Sequence, residues 1–342
     1  MRIPKSLLTI NSLILFTFIA PIIYMLWRFV NFSRSLSSFF QSWNVFNLMF
    51  NTITVFFAVV LTSVLVGLLI SIVTVRFEFK GSKILFTLCA LPLVIPSYIG
   101  ALTYISAFSP KGLFVQIFNR YGINEIAGIE GFLGSWLVLT LFTYPYVQLI
   151  CSSALRNLDS TVEDAARSLG VNQFKVYTNV VIPRLKKPII YSSLLVGLYV
   201  ISDFGAVSLM RYSTVTKAIY AYYEFSILGD PVIFYSSLLI VLALLISFIQ
   251  RGSATSRSAK VSGTPRVPKK VKLEKNGKIL IYSFLGVIIS LGLIIPVAVL
   301  SFWLFRGLYY GTDVTSSIPG ILGSFSASIV TSLLAIIISM PI

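Results

Sequence analysis

Long apolar runs alternate with short polar stretches along most of this chain. Eight runs come near or exceed the roughly 20 mainly apolar residues that carry a helix across a bilayer. They are Leu7–Phe29, Leu48–Val75, Ile84–Phe108, Phe132–Leu155, Ile189–Met210, Val232–Ile249, Ile279–Phe305 and Gly320–Ile342. The pattern predicts an all-α, polytopic membrane protein with about eight transmembrane helices. Arg2 and Lys5 precede the first run as they would in a signal peptide. That run is nevertheless longer than an h-region of about 7–15 residues, and Pro21 follows Ala20 where cleavage would be sought. It reads as a retained anchor.

Two polar stretches interrupt the pattern. The first begins at Thr161, "TVEDAARSLGVNQFKVYTNVVIPRLKKPII". Ser160 and Glu163 have capping-box spacing, and Gly170 suits the left-handed position just past a helix end, so the spacing predicts a helix over Ser160–Gly170. Val162, Ala165, Ala166 and Leu169 fall at i, i+3, i+4 and i+7 and form one apolar stripe. Glu163, Asp164 and Arg167 take the other side, with Glu163 and Arg167 set for an i,i+4 pair. A second helical piece, Asn172–Ile182, is expected to end at Pro183. Such a segment either lies on lipid headgroups or docks on another protein, and its spacing leaves both readings open. The second stretch, Arg251–Lys278, is rich in Ser, Gly, Pro and Lys and predicts a flexible basic linker.

Across that linker the chain repeats itself. "FIAPIIYMLWRF" from Phe18 faces "LIIPVAVLSFWL" from Leu293, and "FNTITVFFAVVLTSVLV" from Phe50 faces "FSASIVTSLLAIIISMP" from Phe325, both at a shift of 275. The expected organisation is a first unit over 1–250 with its core at 48–250, a linker at 251–278, and the start of a second unit at 279–342. Six spans separate the two starts, which makes the copies parallel rather than inverted. The end at "SMPI", inside a span, leads to the expectation of a truncated second repeat.

Charge supplies the orientation. The 342-residue chain is only 11% charged and carries a net +16, against about 25% charged residues in a soluble domain, and its mean hydropathy is +0.91. With the N-terminus in the cytoplasm, 20 of the 27 basic residues fall on cytoplasmic loops, as the positive-inside bias requires. The basicity therefore points to membrane lipid and not to nucleic acid. His is absent, which removes His triads, His-based zinc sites and His proton relays. Cys89 and Cys151 both sit in apolar runs and imply no disulfide framework. No GxxxxGK[ST] occurs, so the chain carries no P-loop of its own.

Asp203 is the one acid placed inside a span, which makes it a functional candidate by default, alongside a partly solvated structural role. Pro92 and Pro96 should kink the third span and free backbone carbonyls, either along a transport path or as a packing feature.

The residues Asp164-Ala165-Ala166, then Gly170, then Ile182-Pro183 resemble the EAA loop of ABC importer permeases, with Asp164 where Glu is usual and Glu163 just before it. The resemblance covers about Leu48–Gln250, and Ile279–Ile342 more weakly. It implies a type I importer permease fold in the bacterial cytoplasmic membrane. It also implies that Glu163, Asp164, Ala165, Ala166, Leu169, Gly170, Ile182 and Pro183 form a coupling loop for a cytoplasmic ABC ATPase dimer. On this reading the permease is not an enzyme and binds no cofactor; ATP is used by the partner. A periplasmic or surface binding protein would deliver substrate, and a second permease copy would complete the pair of coupling loops.

"SDFGAVSL" with "TKAIY", and "LPLVIPSYIGALTY" from Leu91, are similar to the fused ferric-iron permeases. That likeness implies iron as cargo and a path including Asp203, Pro92, Pro96 and Tyr98. Thiosulfate, phosphonate and polyamine permeases stay open, as do an ion-coupled secondary transporter and a membrane-embedded assembly protein.

Overall fold

The computed structural model describes residues 5–31, 43–110, 112–119, 122, 128–159, 161–225, 230–254, 270–313 and 315–339. The chain divides into two units, Met1–Arg34 with Ser301–Ile342, and Ser35–Leu300.

In the smaller unit, α1 (Lys5–Val30) coincides with the first apolar window and runs through Pro21. The larger unit holds α2 (Trp43–Arg76), α3 (Ser82–Ala90), α4 (Ser97–Phe108), α5 (Leu113–Asn119) and α6 (Gly131–Arg156). There follow α7 (Thr161–Ser168), α8 (Gln173–Val176), α9 (Ile182–Arg184), α10 (Lys186–Ser202), α11 (Gly205–Leu209), α12 (Val215–Phe225) and α13 (Asp230–Ala254). Then come α14 (Lys275–Ile289) and α15 (Ile295–Tyr309), which reaches into the smaller unit, where α16 (Ile318–Ser339) lies.

Five of the eight apolar windows coincide with helices long and apolar enough to cross a membrane, and two more with bent helix pairs. The third window is not one helix. Pro92 sits in a 3-10 turn at Leu91–Val94, Pro96 adopts extended backbone, and the axis turns by 95°. The fifth window stops early, because Asp203 leaves helical geometry at ψ 125° and α11 starts afresh. The expected linker also narrows. Its first residues extend α13 to Ala254, its last ones begin α14, and Val271–Lys272 pairs in parallel with Phe77–Glu78. The remainder, 255–269, lies outside the described residues.

The larger unit is organised around α2 and α6. In a bilayer, lipid tails are as apolar as leucine, so helices associate through close backbone approach and small polar groups. That chemistry lines this pair. Thr62 and Thr140 hydroxyls lie 2.8 Å apart, Ser63 and Thr143 3.0 Å apart, and Ser71 Oγ donates to the Gln148 carbonyl at 2.9 Å. At Gly67 a Cβ would stand 2.6 Å from Val147 Cβ and 2.7 Å from the Tyr144 carbonyl oxygen, so only glycine lets the helices approach this closely. The contacts advance together along both helices, so α2 and α6 run in the same direction, as alternate spans do. α10 runs the opposite way, with Ile189 packed near Val75 and Leu155 and Gly197 against Phe56. On its other side α2 presents Phe46, Phe50, Phe57, Leu61, Leu65 and Leu69, all exposed and nearly all spaced by four.

Candidate functional site

At the end of the bundle where α2 and α6 terminate, α7 is held by its charges. Its one fully buried side chain is Glu163. Arg76 Nη2, at the last residue of α2, donates to Glu163 Oε1 at 2.7 Å, with the two side chains 1% and 0% exposed. Arg167 flanks the pair, 3.6 Å from Glu163 Oε2 and 3.3 Å from Asp164 Oδ1. Burial pushes the Glu163 carboxyl above its usual range, and Arg76 and Arg167 oppose that shift. Among the described residues Arg76 Nε and Nη1 have no hydrogen-bond partner, so the ion pair is incompletely satisfied.

This orientation turns the apolar stripe outward. Val162 is 48% exposed and Leu169 83%; Ala165 is exposed and Ala166 half-buried between them. Gly170, at φ +76°, closes the helix. Its N–H donates to the Arg167 carbonyl and the Val171 N–H to that of Ala166, which is the paired C-terminal capping pattern that favours a left-handed glycine. Ser160, the expected N-terminal cap, lies outside the described residues. Asp159 Oδ1 instead accepts from the Thr161 N–H and hydroxyl, and the Asp159 carbonyl accepts from Arg184 across the loop.

The second half of the loop is anchored by packing. Val181 and Leu185 are buried with Val75 and Leu155. The helical piece runs just past the expected stop at Pro183, to Arg184, where the axis bends by 63°. Residues Tyr177–Val181 form a π turn, and Pro183 falls in the first turn of α9, where a missing N–H is tolerated. Ile182 is half-buried and Pro183 exposed.

A second constellation joins two helix breaks. Ser97, at the start of α4, donates its hydroxyl to Asp203 Oδ2. Asp203 Oδ1 accepts the Ala206 N–H at 2.9 Å and so caps α11, and the Asp203 carbonyl accepts from Thr216 Oγ1. Tyr98 is half-exposed beside Gly205, while Pro92 is buried next to Gly292. Asp203, Pro96, Ser97 and Tyr98 therefore meet at one place, and Pro92 lies away from it in the turn. Among the described residues no group of three or more Cys, Asp or Glu is placed to hold a metal ion.

Arg76 was not legible as a site residue. In sequence it reads as one more positive charge at the end of a span, 87 positions from its partner. Ser97 was equally silent, 106 positions from Asp203.

The described residues thus form a multi-pass helical bundle with two broken spans and an amphipathic helix presented at one end, and the comparisons give its class as transport permeases. The chain belongs to the family of binding-protein-dependent transport system inner membrane components, whose model matches residues 63–256. It is 27% identical over 330 residues to the Fe(3+)-transport system permease protein FbpB 2 of Haemophilus influenzae, covering 94% of this chain. It is 28% identical over 141 residues to the sulfate transport system permease protein CysT of Salmonella typhimurium, covering 41% of this chain. The chain spans 61% of the first relative's length and 50% of the second's. Among solved structures it is similar to a chain of a bacterial alginate ABC transporter in complex with an alginate pentasaccharide-bound periplasmic protein. The TM-score is 0.59 at 15% identity, over 72% of this chain and 92% of that one, a likeness of fold.

Proposed function

We propose that this chain is the membrane path of an ATP-driven importer, and that α7 is its handle for a cytoplasmic ABC ATPase. The observation that carries the reading is the outward stripe of Val162, Ala165 and Leu169 on a helix whose buried contact is ionic. A helix resting in its own protein would bury the stripe and expose the charges. Here the stripe is exposed and Glu163 is buried, which leaves an apolar face for a partner. ATP-driven closure of the ATPase dimer would move the handle, and differential affinity for two permease states would transmit the work. The loop end is then cytoplasmic, as the distribution of basic residues favours, and the opposite end receives the binding protein.

Ferric iron is the cargo this reading favours, because the iron-permease likeness runs along 94% of the chain. Sulfate is the second reading, favoured by the sulfate-permease likeness over a shorter stretch. A second permease unit beginning at 279 is supported by the start of α16 at Ile318, displaced by the same 275 positions from the start of α2 at Trp43.

Co-expression with the ATPase and binding protein tests the proposal. The unsubstituted chain should retain the ATPase through purification and support ATP-dependent uptake of radiolabelled ferric iron into vesicles. Gly170→Val, which forces a β-branched residue into positive φ, should lose both. Retention of ATPase and uptake by that variant would refute the docking role. Uptake of labelled sulfate with no iron uptake would replace the cargo.

A further inference from the structure

α2 touches both ends of the bundle. At the loop end Arg76 holds the one buried side chain of α7. At the opposite end Thr52 Oγ1 accepts the Val215 N–H at 3.0 Å, and Asn51 Nδ2 donates to the Ser213 carbonyl at 2.9 Å. That segment returns through Thr216 to Asp203 and, through Asp203, to Ser97. Between Thr52 and Arg76 the helix is unbroken, a rod of about 36 Å at about 1.5 Å per residue.

We infer that Arg76 is a positioning residue that fastens the docking helix to α2, so that α2 carries movement of α7 to the Ser213–Thr216 segment at the far end. The inference rests on the docking reading of α7. Three features of the tie support it. It is ionic where the rest of the loop's anchorage is apolar, so its partners are specified by charge. It is buried, and therefore little screened by salt. It also joins the end of a span to the helix without an intervening flexible segment on the α2 side. A contiguous chain of contacts is not itself proof of coupling, so the test reads coupling directly.

The complete transporter, with ATPase and binding protein, is prepared with Ser213→Cys as a reporter. Ser213 is exposed, and the native Cys89 and Cys151 are buried. Maleimide labelling is compared with and without Mg-ATP and vanadate. In the Arg76–Glu163 background the nucleotide should change the labelling rate at least about fivefold, the lower range of ordinary allosteric coupling. Arg76→Gln should abolish that response while the ATPase still co-purifies and hydrolyses ATP, and Glu163→Gln should abolish it as well. The double variant should lose no more than either single one, because all three break the same tie. The exchange Arg76→Glu with Glu163→Arg should restore the response, and it carries the test if the glutamine variants fail to fold.

A normal response in an assembled glutamine variant, or a folded exchange variant without one, overturns the inference. So does an absent response in the unsubstituted background. Failure of the ATPase to co-purify with the unsubstituted chain overturns the docking reading and this inference together, and is distinguished by being seen before any labelling.

Discussion

Two acids, Glu163 on the loop helix α7 and Asp203 where a span breaks, are held in surroundings that differ in kind. Glu163 is met by two guanidinium groups, one from the last residue of a different span, and the helix that bears it turns its apolar face to the outside. Asp203 is met by a hydroxyl and a backbone N–H, and these partners serve to start one helix and hold the beginning of another. The first acid fixes a whole element by charge; the second repairs the backbone where a span breaks. An acid held against the bundle is thus not one kind of signal, and its partners decide which device it is.

Breaking each device separately sharpens the contrast. The largest effect is expected at Arg76. Removing one member of a buried pair strands the other, at a cost of about 3–5 kcal/mol, whereas apolar replacement of both is often neutral or stabilising. Arg76→Ala should therefore lower the melting temperature in detergent sharply, and Arg76→Met combined with Glu163→Met should recover most of it. The unpartnered Nε and Nη1 of Arg76 favour that recovery. A double variant as unstable as the single one would contradict the account.

At Asp203 a smaller effect is expected. Losing a helix cap costs about 1 kcal/mol, and Asn caps about as well as Asp. Asp203→Ala should destabilise modestly and Asp203→Asn scarcely, with uptake retained in the latter. Loss of uptake by a stably folded Asp203→Asn would show that the charge itself serves the path.

The smallest effect concerns pH. Burial holds Glu163 above its ordinary value of 4.5, so the folded state binds this proton more tightly than the unfolded chain. Its stabilising contribution is fully present below that value and is lost as pH rises through the folded one. The melting temperature of the wild type relative to Glu163→Gln should accordingly fall as pH rises above 4.5. A difference that does not change with pH would remove burial as the dominant influence on this carboxyl.

The helices were largely legible in the sequence, because lipid demands long apolar runs and these leave a plain mark. The end of α7 was legible too, since Gly170 suits the left-handed closing turn that the structure shows. Three things were not. The break at Asp203 shortened a window that hydropathy reads as continuous, because hydropathy does not record backbone direction, whereas Pro92 and Pro96 marked the break in the third span. The π turn at Tyr177–Val181 has no mark in the sequence, although Pro183 marks the 63° bend that follows Arg184. The partnership of Arg76 with Glu163 has no local pattern, since each side chain looks like an ordinary polar residue at the water interface.

The central claim is that the outward face of α7 is where the ATPase sits. Its most direct measurement is crosslinking from Leu169→Cys in membranes containing the complete transporter, with Cys89 and Cys151 buried and silent. The account predicts a permease–ATPase adduct from position 169 and from Val162→Cys, and none from a cysteine placed at exposed Arg211 at the other end of the bundle. ATPase bound to the transporter with no adduct from either α7 position would contradict it.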